Sequence, residues 1–405
     1  MKGLLGAIAL LLVCAAGVYA WKASRDLPHS EETSAQAATP SEIAAELGTT
    51  RTSLGTVVEA VDPELEARAE AIALRRQAVA LNDQALVALE SGDLERAIEL
   101  LESCLAIDPE EAIFRRNLAE TLARMAGQEY EQATAGSIRR AIEWLERAVE
   151  LAPDRTALAD RLTRWRTVEE TEDGFWVESS EHFELAYDGS RDELLWSAGD
   201  LFEILEAAYL ELGELFGRFP VEHGRPRIRV VLYRKSEFDG VTGLGHWAGG
   251  VFDGTVRVPV EDLGREKSIL SAVLRHEVVH AFVRDVGGAS VPAWLDEGLA
   301  QRFESPEHAH RSARTQRARR RLEGGELFPL ERLREGIARW TNADEIRRAY
   351  DQSLALVAWL ESEYGERLPF EMIIACRDGA SVEDTFATRT GVGLEVALET
   401  LREDL

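Results

Sequence analysis

Residues 276–300 read HEVVHAFVRDVGGASVPAWLDEGLA, and the fold and function expected of the chain both follow from this stretch. On a helix His276 and His280 stand at i and i+4, one above the other on a single face. That spacing lets two neutral imidazoles share one Zn²⁺, while Glu277 projects beside them and can take a proton from a metal-bound water. The chain has only 8 histidines in 405 residues, so two at this spacing are a sparse coincidence. The plain alternative is a buried helix whose histidines serve only as hydrogen-bonding core.

The second half of the stretch weighs against that alternative. A helix through His280 is expected to stop near Val286, because Gly287-Gly288 supplies a C-terminal stop and Pro292 suits the first turn of a new helix. From His280 to the stop, and from Pro292 to Glu297, the two legs are each about 8–9 Å long at 1.5 Å per residue. Antiparallel packing then brings Glu297 level with His280. Two histidines and one glutamate with a fourth position open is the ligand count of a catalytic metal site. Asp296 is the competing carboxylate, and an ordinary surface glutamate is the plain reading of Glu297. Gly298 is expected to let the second helix approach the first closely.

HEVVH followed after sixteen residues by the glutamate of W-L-x-E-G-L-A resembles the gluzincin metallopeptidases, the thermolysin and zinc-aminopeptidase clan. It is most similar to the peptidase MA-like domains often joined to tetratricopeptide (TPR) repeats. The resemblance covers about residues 171–365. It implies a zinc-activated water, with His276, His280 and Glu297 as ligands and Glu277 as general base. It also implies a tyrosine about fifty residues after the ligand glutamate, whose hydroxyl stabilises the tetrahedral intermediate. Tyr350, in Arg348-Ala349-Tyr350-Asp351-Gln352, is similar in place and form. Its alternative is plain helix core, since it shares a stripe with Ile346, Leu354 and Val357. Two departures stand out. The stretch Gly243–Phe252 lacks the glutamate that holds a free amine in the aminopeptidases, and Gln301 stands where thermolysin-type enzymes carry an aspartate to support a zinc-bound histidine.

The chain is 45% hydrophobic and 29% charged, with a net charge of −27, ordinary for soluble domains with real cores. The acidity argues against nucleic acid as the main partner, because phosphate binding needs a basic footprint. After Lys2, residues Gly3–Ala20 form an uncharged, mostly apolar run. It reads as a signal peptide (1–23) ending near Val18-Tyr19-Ala20 or as a short membrane anchor, which places the protein in the cell envelope, exported to the periplasmic or extracellular side. Cys14, Cys104 and Cys376 fall singly in separate segments, so neither a disulfide framework nor a cysteine metal site is expected.

Residues 24–62 are rich in Ser, Thr, Ala, Glu and Pro and read as a flexible linker. Over 63–170 the pattern is that of TPR-like repeats. One copy runs from Gly92-Asp93-Leu94 through Ala97, Leu101 and Cys104 to Pro109, and a second from Asn117 through Ala141, Leu145 and Ala148 to Pro153. The two prolines lie 44 residues apart, against a repeat of about 34, so an insertion is expected around Ala126–Ser137. A terminal helix over Thr156–Val168 is expected to cap the stack. From Gly174 the period changes to two. Strands are expected at Phe183–Tyr187 and Ile228–Tyr233 around a helix over Asp192–Phe216, and a hairpin at Asp253-Gly254. An arginine run, Arg311, Arg314, Arg317 and Arg319–Arg321, reads as a solvated helix face that lies near enough to the Glu297 helix to meet an anionic substrate. His308 and His310, at i and i+2, point apart and are not expected as ligands.

The expected fold is multidomain: all-α TPR-like helical repeats followed, over 171–405, by an α+β zincin metallopeptidase domain with its active site between an α+β lobe and a helical lobe. The expected cofactor is Zn²⁺. The expected partners are a peptide or protein substrate, a protein ligand on the repeats, and a membrane if residues 3–20 are retained. The alternative function is an envelope TPR adaptor whose peptidase-like domain binds zinc but is catalytically weak. Hydrolysis of a non-peptide amide is a third possibility, hinted at only by the arginine run.

Overall fold

A computed structural model of the chain describes residues 63–132, 134–195, 197–220, 226–242, 250–337 and 340–405. The apolar run Gly3–Ala20, the linker 24–62 and residues 243–249 of the glycine-rich stretch lie outside the described residues. Those described are mostly helical, with one small mixed sheet, and they divide into two compact units whose boundary falls between Thr121 and Leu122.

The first unit contains helix α1 (Pro63–Glu90), helix α2 (Leu94–Ile107) and the start of helix α3 (Ala112–Glu131). Gly92 turns the chain at φ 80, and the Asp93 carboxylate caps α2 by accepting from Arg96 N at 3.0 Å. Ala97 and Cys104, the small residues of the repeat pattern, are fully buried. The Cys104 thiol donates to Ala78 O at 3.2 Å, a contact that a longer side chain would prevent. These are the close helix crossings the repeat pattern anticipates.

The second unit begins within α3. The extra residues expected around Ala126–Ser137 do not form a loose loop. They lengthen α3 to Glu131, and helix α4 (Ala135–Leu151) follows directly behind a capping box formed by Thr134 and Ser137. Helix α5 (Thr156–Glu172) runs one turn further than expected. Then come strand β1 (Trp176–Ser179), strand β2 (Phe183–Tyr187), the short helix α6 (Asp192–Leu195), helix α7 (Ala198–Phe216), strand β3 (Ile228–Tyr233), helix α8 (Lys235–Thr242), and the hairpin of β4 (Val251–Phe252) and β5 (Val256–Pro259). The single helix expected over Asp192–Phe216 is therefore two. The sheet order is β1-β2-β3-β5-β4. Its three inner strands are parallel, and β1 and β4 are antiparallel at the edges.

The inner strands explain where the core sits. Phe183, Leu185 and Tyr187 of β2, Val230 and Leu232 of β3, and Val256 and Val258 of β5 are all buried in one apolar cluster with α7 and helix α9 (Leu263–Gly287). The alternate positions turn to the second face, and there Arg229, Tyr233 and Arg257 are buried as well. Parallel strands covered on both faces are the usual result of crossover connections.

Helix α9 carries the HEVVH turn and stops where the glycines predict, with Gly288 as its C-cap at φ 72. Pro292 is the N-cap of helix α10 (Ala293–Phe303), whose first amides are not left unsatisfied: Ala293 N donates to Arg334 O and Trp294 N to Leu333 O, both at 3.0 Å. Helices α11 (His308–Leu322), α12 (Ala343–Tyr364), α13 (Leu368–Arg377), α14 (Val382–Thr390) and α15 (Leu394–Asp404) complete the unit. Gly298 corrects one expectation. Its bare face is turned to α12 and not to α9: a Cβ there would lie 2.4 Å from Ser353 O and 2.6 Å from Val357 Cγ2. The close approach it permits is α10 on α12, which seats the Glu297 helix from behind. Gly298→Ala is therefore expected to lower stability by about 1–3 kcal/mol through overpacking, read as a lower urea midpoint at unchanged slope. An unchanged midpoint would mean that the two helices do not meet at this glycine.

Candidate metal-binding site

His276 and His280 occupy successive turns of α9, and Glu297 the second turn of α10. All three are about 1% exposed. The imidazole centroids are 4.9 Å apart. Glu297 Oε2 lies 3.6 Å from His276 Nε2 and 3.8 Å from His280 Nε2. The three side chains offer ligand atoms all within 4.8 Å of one another, so this group could hold a metal ion.

The other ring nitrogens explain why the rings face this way. His280 Nδ1 meets Asp296 Oδ1 at 2.7 Å, and His276 Nδ1 meets Glu304 Oε1 at 3.1 Å. A carboxylate that accepts from Nδ1–H fixes the tautomer and turns Nε2, with its lone pair, toward Glu297. Asp296, the competitor for ligand in the sequence, is thus occupied elsewhere, since its carboxylate orients His280.

The donor set fits a cation. Among the described residues His280 Nε2 and both carboxylate oxygens of Glu297 have no hydrogen-bond partner. A buried carboxylate left that way is costly unless a positive charge faces it. Burial pushes His280 toward its neutral form, but Asp296 and then Glu297 outweigh burial and raise its pKa to about 8. The same charges that draw a proton to this ring draw a cation to the space in front of it.

Gln301 does not support a histidine. It reaches the other way, its Nε2 donating to Tyr350 O at 2.9 Å. Glu304, just past the end of α10, takes the role of histidine support. It is held in turn by Arg314 of α11, whose Nη1 stands 2.5 Å from Glu304 Oε2. Sequence reasoning misses Glu304, although a signal exists: it lies seven residues after Glu297, two helical turns along the same face. The arginine run is likewise more than a solvated face. Besides Arg314, Arg311 pairs with Glu211 and Arg321 with Asp351. His308 and His310 stand outside the site, His310 pairing with Glu307 on the surface.

Glu277 is fully buried beside His276. The chain entering β4 passes close against it: a Cβ on Gly250 would lie 3.0 Å from Glu277 Oε1 and 2.7 Å from Val273 Cγ1. Tyr350 is on α12, which packs against α10, and its side chain is buried in the large apolar cluster. The Gln301 side-chain amide, donating to the Tyr350 carbonyl, ties that turn of α12 to the turn after Glu297.

Residues 239–403 match the model of the Peptidase MA superfamily. Residues 78–111 match a tetratricopeptide repeat. The peptidase match contains α9, α10 and α12, hence every residue of the candidate site, while β1–β3 lie before it. No curated protein and no solved structure matches the chain. The two matched spans support a peptidase-like protein with a repeat of the kind that engages other proteins.

Asp296→Asn and Glu304→Gln keep volume but weaken the hold on each ring. Each is expected to lower affinity for an added divalent ion about 10–100-fold, measured by competition with a chelator on the purified chain. Wild-type affinity in both variants would separate these carboxylates from the metal site.

Proposed function

We propose that the chain is a zinc-dependent peptidase acting through His276, His280 and Glu297 as metal ligands and Glu277 as general base. The observation that carries this reading is the buried Glu297 carboxylate facing two oriented imidazole nitrogens, with Glu277 on the same helix. A borderline ion with N and O donors and an open position suits Zn²⁺. Bound there, the ion would supply a Lewis acid for the scissile carbonyl and lower the pKa of water. The protein's own groups do the rest. Glu277 accepts the proton of the attacking water and passes it to the leaving amine. The Tyr350 hydroxyl donates to the oxyanion as the carbonyl becomes tetrahedral.

Strand β4 is one of the two edges of the sheet among the described residues, and it lies beside Glu277. An extended peptide can add to such an edge through main-chain hydrogen bonds, and the bare Gly250 lets the strand itself lie close against Glu277 and Val273. The repeats would hold a protein partner, and the run Gly3–Ala20 would direct the protein to the cell envelope. The adaptor alternative is less favoured, since a domain that only binds has no use for Glu277 beside the metal ligands.

Glu277→Gln is expected to keep the metal and the fold while losing roughly 10²–10⁴ in kcat, measured on a peptide library together with metal content. A loss of only a few-fold would remove Glu277 as base. Tyr350→Phe should cost about 10²–10³ in kcat with KM and metal unchanged, as for one oxyanion donor. Full activity with a lowered melting temperature would instead mark Tyr350 as core.

A further inference from the structure

The second face of the sheet is closed by charge. Arg257 of β5 is 1% exposed, and its guanidinium is satisfied from three directions. Nη1 meets Glu172 Oε1 at 2.7 Å, where Tyr233 OH also takes part. Nη2 donates to Tyr130 OH at 2.8 Å, and Nε to Asp253 Oδ2 at 3.2 Å. Glu172 also pairs with Arg229 of β3 at 3.1 Å and accepts from Tyr233 OH. Glu172 is the last residue of α5, Tyr130 lies at the end of α3, and Asp253 is in the β4–β5 turn. One buried cation thus joins the hairpin turn to the ends of two helices that precede the sheet.

The end of α3 makes two more contacts to the same region. Gly254, at φ 105, lies so close to α3 that a Cβ there would be 3.3 Å from Glu131 Cα. Glu131 Oε1 pairs at 2.6 Å with Arg284, one turn of α9 beyond His280. The hairpin needs such anchors, because β4 has only two residues and one neighbour in the sheet. Its ladder alone cannot fix the distance between Gly250 and Glu277.

We propose that Arg257, Tyr130 and Glu172 are positioning residues for the peptide-binding edge, holding β4 at the distance from Glu277 that a bound substrate strand requires. This rests on the reading that β4 receives the substrate. It makes the ends of α3 and α5 part of the peptidase apparatus, although both lie outside the span that matches the superfamily. None of the three residues touches substrate, so their effect shows in substrate binding and in the order of the hairpin.

The test uses the full-length, zinc-loaded chain with Tyr130→Phe and Glu172→Gln. Tyr130→Phe keeps the ring stacked on Trp165 at 4.3 Å and removes only the acceptor of Arg257, so it remains informative if Glu172→Gln does not fold. Two quantities are read: KM and kcat on a quenched fluorogenic peptide library, and amide hydrogen exchange across 250–260. The expected result is KM raised about three- to tenfold with kcat and zinc content within about twofold, and amide exchange in the hairpin faster by about tenfold. Wild-type KM in Tyr130→Phe, with or without faster exchange, overturns the positioning role. Amide protection across 250–252 when an uncleaved peptide binds the Glu277→Gln protein serves as the control for the reading beneath it. If that protection appears while Tyr130→Phe leaves KM unchanged, only the positioning proposal falls. If bound peptide leaves these amides unprotected, the edge-strand reading falls and the proposal with it.

Discussion

A carboxylate and two imidazoles buried within 4.8 Å of one another are the constraint around which the second unit is built. Desolvated charge of this kind persists only where the surroundings hold it and a cation can answer it. The holding is visible on every side. Asp296 and Glu304 fix the rings from behind, and Arg314 fixes Glu304. The Glu297 helix is seated by loop carbonyls at its first amides and by the contact of Gly298 with α12. Each device is local, yet together they leave α9 and α10 little freedom to separate.

The same logic accounts for the charges of α11. In a chain of net charge −27 a cluster of arginines invites a reading as a binding face. Arg311, Arg314 and Arg321 are instead paired with buried or partly buried carboxylates. They neutralise acids on or beside the helices that carry and support the candidate metal-binding group. Three of the six arginines in the run thus answer carboxylates, while Arg317 and Arg320 stay on the exposed face.

How much of this is legible in the sequence depends on the distance along the chain. His276, Glu277, His280 and Glu297 stand in one stretch, and helix period with the Gly287-Gly288 stop and Pro292 restart is enough to bring Glu297 to the histidines. The Asp253-Gly254 turn and the small residues Ala97 and Cys104 are readable for the same reason. Glu304 is within reach at two helical turns but falls past the helix end. The bare face of Gly298 is plain from its residue type, yet only the packing of α12, some fifty residues on, shows which helix it meets. Arg257 is beyond reach, since its partners Tyr130 and Glu172 lie 127 and 85 residues away and nothing local announces the pairing. The break between α6 and α7 and the extension of α3 escape a periodicity argument because helical period continues through both.

The most direct measurement is a titration of the metal-stripped full-length protein with Zn²⁺ while hydrolysis of a peptide mixture is followed by mass spectrometry. A single three-ligand site with an open position predicts cleavage that rises with added zinc, reaches its limit at about one ion per chain, and is abolished again by a chelator. Stoichiometric zinc binding with no cleavage of any peptide would contradict the catalytic claim. Cleavage indifferent to zinc would contradict the metal centre itself.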